Sequence, residues 1–257
     1  SMGLEPVYMD FNNIDAIDSI YEDIDFALLQ HSRQKIDDSY DLEYVINKLK
    51  SINKNINILV DDNYVALKAE KIGVQLGADS SAFSLFKLLG PEGIGCVLGK
   101  KEIIDKIRKL NYSGGGQVQG FEAMEALRSI VYAPVALAIQ GEVSNEIVER
   151  VNKKEVPGIK SAFIANAQSR VVLIEFNEPF AKKILEIAST LGAAPYPVGA
   201  ESRYEICSMF YRVSGTFLES DPSLEDYMIR INPMRAGADT VLRVLTEAMT
   251  QVMKEGS

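Results

Sequence analysis

Two charged residues stand in apolar surroundings, where each could take part in chemistry. Lys87 interrupts the apolar segment 82–89 just before a glycine-rich turn, and a lysine amine in such a setting can bond to a carbonyl carbon. Asp61 ends the apolar run 56–60, and a carboxylate removed from water needs a cationic partner. The ordinary alternatives are a surface lysine and an aspartate that caps a following helix, a role that Asp62 could fill instead.

The composition restricts the class of protein. The 257 residues are enough for one large domain or two modest ones. The formal net charge of -9 opposes binding to a phosphate backbone, so we expect a small-molecule partner and no nucleic acid. No apolar run approaches the roughly 18 to 20 residues that cross a bilayer, and no export signal is visible. We therefore expect a cytoplasmic protein with no membrane partner.

Histidine and cysteine usage restricts the chemistry further. The chain has one histidine, His31, so metal sites built on several imidazoles are excluded and a Ser-His-Asp triad would have to use it. Cys96 and Cys207 lie far apart without CxxC spacing, which predicts structural thiols, with neither a disulfide framework nor a zinc site. Acid–base chemistry must then rest mainly on lysine, tyrosine, carboxylates or a cofactor, and we predict no metal.

Strand-like and helix-like segments alternate in the first half of the chain, which indicates an α/β domain. The patterns predict strands at 6–11, 26–30, 56–60 and 96–98, and helices at 15–21, 42–51 and from about 64 to 76. Polar side chains at the carboxyl end of a parallel strand lie where open α/β sheets bind ligands. Asp61 and Tyr64 follow the strand at 56–60 and occupy such an end.

A long helical segment at 121–151 divides the sequence. We predict part of a large domain over 1–125, a linking helix over 126–155 and a smaller α+β domain over 156–257. In the smaller domain the patterns predict strands at 170–176 and 227–231 and helices at 179–191 and 238–254.

Lys87 and Asp61 match the needs of pyridoxal phosphate, which requires an amine, an anion at its pyridine nitrogen and donors for its phosphate. The order Ile58-Leu59-Val60-Asp61-Asp62-Asn63-Tyr64, Gly77-Ala78-Asp79 and Ser84-Leu85-Phe86-Lys87 resembles the core of fold-type I pyridoxal phosphate-dependent enzymes, the aspartate aminotransferase superfamily. The resemblance implies a three-layer α/β/α large domain. It also implies that Lys87 holds the cofactor as a Schiff base while Asp61 binds the pyridine nitrogen.

Further cofactor contacts are implied by the same resemblance. The D-x-x-Y spacing assigns Tyr64 to the cofactor's phenolic oxygen, and S-x-x-K assigns Ser84 to its phosphate. The segment Gln30-His31-Ser32-Arg33 is similar to the Q-x-S-R segment of a branch that contains aluminium-resistance proteins and, as the nearer match, YhfS-like proteins. That similarity places Ser32 or Arg33 near the phenolic oxygen, and an exposed arginine after a strand is the alternative.

Two segments imply a partner and a substrate contact. The glycine-rich stretch 114–117 with 120–123 resembles the loop that reaches the neighbouring subunit's cofactor in this fold, which implies a homodimer. The segment 228–233 resembles the strand whose arginine binds a substrate α-carboxylate, a role for Arg230 that suits guanidinium geometry. Arg235 is the competing candidate, and a surface salt bridge is the ordinary alternative.

The expected function is therefore a pyridoxal phosphate-dependent reaction on an amino acid, of the aminotransferase or C–S/elimination lyase type. The sequence begins at a point that resembles the entry to a mid-domain strand, so the family's amino-terminal portion is expected to be missing. That expectation leaves a second interpretation open, a catalytically idle protein of this fold with a binding or assembly role. A nucleotide-binding domain is disfavoured because neither glycine run matches G-x-G-x-x-G or a Walker motif.

Overall fold

A computed structural model shows the chain as two compact units. It describes residues 3, 5–19, 24–32, 38, 40–112, 116–165, 171–194, 205–213 and 215–255. The first unit comprises Ser1–His31, Asp37–Phe83 and Cys96–Gln117, and the second comprises Ser32–Ile36, Ser84–Gly95 and Val118–Ser257. The division at 125 and 156 that we expect from the sequence stays a prediction.

The first unit contains a four-stranded sheet in the order β1-β2-β3-β4. Its strands are β1 (Phe26–Gln30), β2 (Asn57–Asp61), β3 (Ser80–Ser84) and β4 (Gly95–Gly99). The first three strands run parallel, and Gln30 at the end of β1 lies opposite Asp61 at the end of β2. The carboxyl ends of these strands therefore meet at one edge of the sheet, which is where such sheets bind ligands.

Helix α1 (Leu42–Ile52) covers one face of this sheet. It begins after Asp41, whose side chain accepts a hydrogen bond from the backbone N–H of Tyr44. Its apolar positions recur at helical spacing and pack against alternate residues of β1 and β2. The buried residues of this core include Leu29, Leu42, Val45, Ile46, Leu49, Ile58 and Val60.

The segment that follows β2 is not the helix predicted at 64–76. It consists of turns and a short 3-10 helix, Gly73–Leu76. Tyr64 and Leu67 have φ angles of 65° and 62°, and this left-handed conformation interrupts a right-handed helix. The apolar residues of this segment therefore belong to a compact loop and do not form one face of a helix.

The strand predicted at 6–11 is also wrong. Residues 5–13 form no regular element and lead into a 3-10 helix, Ile14–Ser19. Met9 and Phe11 pack against the apolar core, whereas Val7 and Tyr8 are exposed. The alternation in the sequence thus reflects a segment that lies on the core without pairing to another strand in the described part of the chain.

A buried carboxylate fixes the amino end of β3. Asp79 accepts a hydrogen bond from the backbone N–H of Ile58 at 2.8 Å and pairs with the ammonium groups of Lys50 and Lys100 at 3.4 and 2.5 Å. Burial by itself would raise the pKa of Asp79, but the hydrogen bonds from Lys100 and Ile58 and both lysine charges lower that pKa overall. Asp79 is therefore an ionised structural anchor at the sheet edge opposite Asp61.

The second unit contains an antiparallel sheet in the order β5-β6-β8-β7. The strands are β5 (Ile159–Ile164), β6 (Val172–Phe176), β7 (Met209–Arg212) and β8 (Met228–Asn232). The helices of this part are α4 (Ala181–Thr190), α5 (Gly215–Ser220), α6 (Leu224–Tyr227) and α7 (Ala238–Glu255). Helices α4 and α7 share a core with one face of the sheet, which includes Ile174, Ile229 and Ile231.

Helix α3 (Gly120–Asn152) is the long helix predicted at 121–151, and α2 (Lys101–Asn111) precedes it. The other confirmed predictions agree with the structure to within two residues at each end, namely strands at 26–30, 56–60, 96–98, 170–176 and 227–231 and helices at 42–51, 179–191 and 238–254. The patterns missed the helices α2, α5 and α6 and the strands β3, β5 and β7. The pattern of α2 does indicate an amphipathic helix, with Ile103, Ile104, Ile107 and Leu110 at helical spacing, although none of these residues is buried.

Candidate cofactor and substrate site

Asp61 presents a carboxylate at the carboxyl edge of the first sheet. Its Oδ1 accepts a hydrogen bond from the backbone N–H of Asn63 at 2.9 Å, and its carbonyl accepts one from the N–H of His31 at 3.0 Å. Within the described ranges, no donor forms a hydrogen bond to Oδ2. The hydrogen bond between Asp61 and Asn63 joins residues two positions apart in a turn, so Asp61 is not a helix cap. Its second carboxylate oxygen, Oδ2, is partly buried and stays available to an external cation.

Asp62 is fully buried, at 0% exposure. Its Oδ1 lies 2.7 Å from Nδ1 of His31, and its Oδ2 accepts a hydrogen bond from the backbone N–H of Gly73 at 3.0 Å. A carboxylate only accepts, so Nδ1 of His31 carries the hydrogen. The capping role considered for Asp62 is wrong, because no regular helix follows it. No local sequence pattern predicts this pair, since 31 positions separate its members.

Gly73 can reach Asp62 only because it lacks a side chain. A Cβ at this position would lie 2.3 Å from Cβ of Val60 and 2.8 Å from Oγ of Ser81. The next residue, Val74, donates its backbone N–H to the same Ser81 hydroxyl at 2.9 Å. The end of the loop after β2 is thus held closely against β2 and β3.

Tyr64 lies in that loop. Its left-handed backbone is uncommon for a bulky residue and persists where surrounding contacts enforce it. The backbone N–H groups of Val65 and Ala66 both bond to the carbonyl of Asp62. The D-x-x-Y spacing is therefore realised in a turn, which keeps Asp61 and Tyr64 at the same edge of the sheet.

Lys87 lies in a 3-10 turn, Leu85–Leu88, in the second unit. The N–H of Leu85 donates to the carbonyl of Ile94, and the N–H of Gly90 donates back to the carbonyl of Leu85. Lys87 is half-buried, with its ammonium nitrogen 5.5 Å from the centroid of the Phe86 ring. The lysine therefore projects from a turn that the backbone holds at both ends, which differs from a fully exposed surface lysine.

Two small residues flank this turn. Ser84 immediately precedes it, and its hydroxyl makes no capping hydrogen bond there. Gly90 follows, and a Cβ at Gly90 would lie 2.7 Å from the carbonyl oxygen of Leu85 and 2.8 Å from Oγ of Ser129 in α3. Glycine thus permits the turn to seat on α3. Ser84 ends β3 and Lys87 lies in the turn that follows, at the S-x-x-K spacing.

Arg230 lies in β8, in the middle of the second sheet. Its register partners Leu173 and Tyr211 belong to the core on the face opposite Ile229 and Ile231. The guanidinium carbon is 4.2 Å from the centroid of the Tyr211 ring, and Nε–H donates to the carbonyl of Arg212 at 2.8 Å. The competing Arg235 is exposed and donates to the carbonyl of Glu205 at 2.8 Å.

Some predicted contacts lie outside the described residues. Arg33, Gly114 and Gly115 belong to this group, whereas Ser32 is described and is buried. Across the ranges that the structure describes, no cluster of histidine, cysteine, aspartate or glutamate could hold a metal ion. No helix in the same ranges is long and apolar enough to cross a membrane.

The chemistry of these groups fits pyridoxal phosphate. Asp61 offers a carboxylate oxygen that accepts no hydrogen bond from any other described residue, as a protonated pyridine nitrogen requires. Lys87 offers a primary amine on a fixed turn, and Ser84 beside it offers a hydroxyl that suits a phosphate oxygen. Asp61 lies in the first unit, and Ser84 and Lys87 lie in the second.

Comparison with known proteins agrees with this chemistry. The aminotransferase class-V model matches residues 19–128, and the YhfS-like C-terminal domain model matches residues 145–245. The uncharacterised protein YhfS of Escherichia coli (strain K12) is 47% identical over 253 residues, which is 98% of this chain and 70% of the relative.

Solved structures give the same result. The structure of the pyridoxal-5'-phosphate dependent protein YhfS from Escherichia coli superposes with a TM-score of 0.91 at 48% identity, over 97% of this chain and 69% of that chain. Cystathionine gamma synthase from Xanthomonas oryzae pv. oryzae, solved with cystathionine, gives a TM-score of 0.71 at 14% identity, over 95% and 68% of the two chains. The second likeness shows the fold alone.

The fold is therefore that of the fold-type I superfamily of pyridoxal phosphate-dependent proteins, and the predicted α/β class is confirmed. Within that superfamily the chain belongs to the YhfS family, as its identity to YhfS and its matching C-terminal domain show. The predicted roles of the individual site residues stay predictions.

Proposed function

We propose that this protein is a pyridoxal phosphate-dependent enzyme that acts on an amino acid, of the aminotransferase or C–S/elimination lyase type. The observation that carries the proposal is the placement of Asp61. Its carboxylate ends a parallel strand at the ligand-binding edge, and Oδ2 accepts no hydrogen bond among the described residues. Membership of the YhfS family supports the choice of cofactor.

The chain's own residues would divide the chemistry between them. When bound, pyridoxal phosphate supplies an electron-withdrawing ring conjugated to the substrate's α-carbon. The amine of Lys87 would hold the cofactor in the resting protein and, with a substrate amino acid bound, would accept the α-proton as a general base. Asp61 holds a proton on the pyridine nitrogen, because its negative charge favours the protonated form.

Other residues would orient the cofactor and the substrate. Tyr64 donates toward the phenolic oxygen, with Ser32 or Arg33 nearby, and Ser84 bonds to the phosphate. Arg230 binds the substrate α-carboxylate through its planar guanidinium group. The ring of Tyr211 and the carbonyl of Arg212 support this role, since both contact the guanidinium group and restrict its position.

The cofactor proposal is tested by adding pyridoxal phosphate to the purified protein and following the visible absorption spectrum. We expect a new band that saturates at one cofactor per chain, and borohydride should fix the cofactor to Lys87 in the mapped peptides. If the purified protein shows no such band, the second interpretation is favoured, in which the protein has this fold but is catalytically idle. A band that maps to other lysines would contradict the role of Lys87.

We further propose that the enzyme is a homodimer, with one face of α3 at the subunit contact. Large apolar side chains along this helix are exposed and share the face opposite the buried Ala126, Ala133 and Leu137. They are Phe121, Met124, Leu127, Val131, Tyr132, Val135 and Ile139. A contiguous apolar face of this length marks an interaction surface more often than a solvated helix.

We predict that Val131→Glu combined with Val135→Glu converts a dimer to a monomer, because a buried unpaired carboxylate opposes association. Sedimentation velocity at micromolar concentration measures the change. Leu110→Glu, which adds a charge at an equally exposed apolar position of α2, should leave the dimer intact. A wild-type protein that sediments as a monomer would contradict the proposed dimer.

A further inference from the structure

Asp62 and His31 take no part in the proposed chemistry, yet they connect the strand ends at the site. Asp62 is the residue after Asp61, and His31 is the residue after the end of β1. The N–H of His31 bonds to the carbonyl of Asp61, while its ring bonds to the carboxylate of Asp62. His31 thus contacts two successive residues of β2's end through two different groups.

Asp62 also closes the loop that contains Tyr64. Its carboxylate accepts the N–H of Gly73, 11 positions further along the chain, and its own N–H donates to the carbonyl of Ala82 in β3 at 2.9 Å. One fully buried side chain therefore joins the first strand, the loop and the 3-10 helix at the carboxyl edge. A buried carboxylate is costly unless it is hydrogen-bonded, so this arrangement has few alternatives.

We propose that Asp62 is a positioning residue of the cofactor site and that His31 is its partner. This inference rests on the proposed function, because its object is the orientation of Asp61 and Tyr64 toward pyridoxal phosphate. Asp62 acts through its neighbours: it fixes the backbone corner from which the Asp61 carboxylate and the left-handed Tyr64 project. His31 keeps the hydrogen on Nδ1, and its Nε2 has no hydrogen-bond partner within the described part of the chain.

The test compares Asp62→Asn with Asp79→Asn. Both replace a buried carboxylate that accepts a backbone N–H in the same unit, but Asp79 lies at the opposite sheet edge. A purely structural role predicts that both variants lose thermal stability and keep the wild-type dissociation constant for pyridoxal phosphate. A positioning role predicts that Asp62→Asn alone raises the dissociation constant for pyridoxal phosphate, on the order of tenfold or more. Loss of an orienting partner has an effect of this size at other sites.

Two substitutions of His31 keep the test decisive if Asp62→Asn does not fold. His31→Asn retains an amide N–H where Nδ1 stands, whereas His31→Leu removes the donor. We expect His31→Asn to restore most of the cofactor affinity that His31→Leu loses. Equal affinity in both variants and in the wild type would overturn the inference.

The single histidine gives a spectroscopic readout that needs no activity. The imidazole ¹⁵N resonances belong to His31 alone, and they should report hydrogen on Nδ1 in the wild type and loss of that preference in Asp62→Asn. Hydrogen on Nε2 in the wild type would overturn the pairing. Failure of the wild type to bind pyridoxal phosphate would overturn the proposed function and this inference with it, whereas unchanged binding in Asp62→Asn overturns the inference alone.

Discussion

Replacing Lys87 by alanine is expected to abolish covalent attachment of pyridoxal phosphate. No other amine can take the place of Lys87 on the turn at 85–88, since attachment requires a primary amine at that position. Borohydride reduction followed by intact-mass measurement should give one cofactor per wild-type chain and none for the variant.

The variant is expected to stay folded, because backbone hydrogen bonds of Leu85 and Gly90 hold the turn. The matched control is Lys109→Ala, which removes an exposed lysine from α2 and should keep full attachment. Attachment at an undiminished level in Lys87→Ala would refute the assignment.

Replacing Asp61 by asparagine is expected to leave attachment at Lys87 intact and to suppress the chemistry that follows. The amide keeps an oxygen for the N–H of Asn63, so the turn after β2 is retained. It removes the negative charge that favours a protonated pyridine nitrogen. Loss of an electrostatic group of this kind costs on the order of a hundredfold or more in rate.

The rate can be measured without knowing the substrate. Removal of the α-hydrogen is common to transamination, elimination and racemisation, so release of deuterium into water from a mixture of α-deuterated amino acids reports it for all three. We expect release with the wild type, a large loss in Asp61→Asn and a smaller loss in Asp61→Glu, which keeps the charge on a longer side chain. Undiminished release in Asp61→Asn would show that Asp61 is not the partner of the pyridine nitrogen.

Arg230 illustrates which part of a site prediction comes from a sequence motif and which part needs the structure. The sequence placed it in a strand, and the structure adds that its register partners are Leu173 and Tyr211. Which face of the sheet it occupies depends on that register, because side chains alternate along a strand. The substrate contact itself stays a prediction, whereas the contacts of the guanidinium group with the Tyr211 ring and the Arg212 carbonyl are properties of the folded unit.

The elements that were predicted well are those that pack against a single core, because such packing requires apolar residues at a regular spacing. Helix α1 and strands β1 and β2 were predicted correctly because all three pack on the same core. The helix buries every third and fourth residue there, and the strands bury alternate residues. Strands β5 and β7 were missed, although most of their residues are at least partly buried. Short segments of this kind cannot be distinguished by period alone.

The sequence by itself determined the class of fold, the lysine in its apolar segment and the aspartate at the end of an apolar strand, because these are local patterns of residue type and spacing. Only the tertiary structure decided that the segment after Asp61 is a loop and that Asp62 is bonded to His31 and Gly73. Those partners lie 31 and 11 positions away in the chain. A buried carboxylate takes its donors from whatever the fold brings near it, so long-range contacts override local helix propensity there.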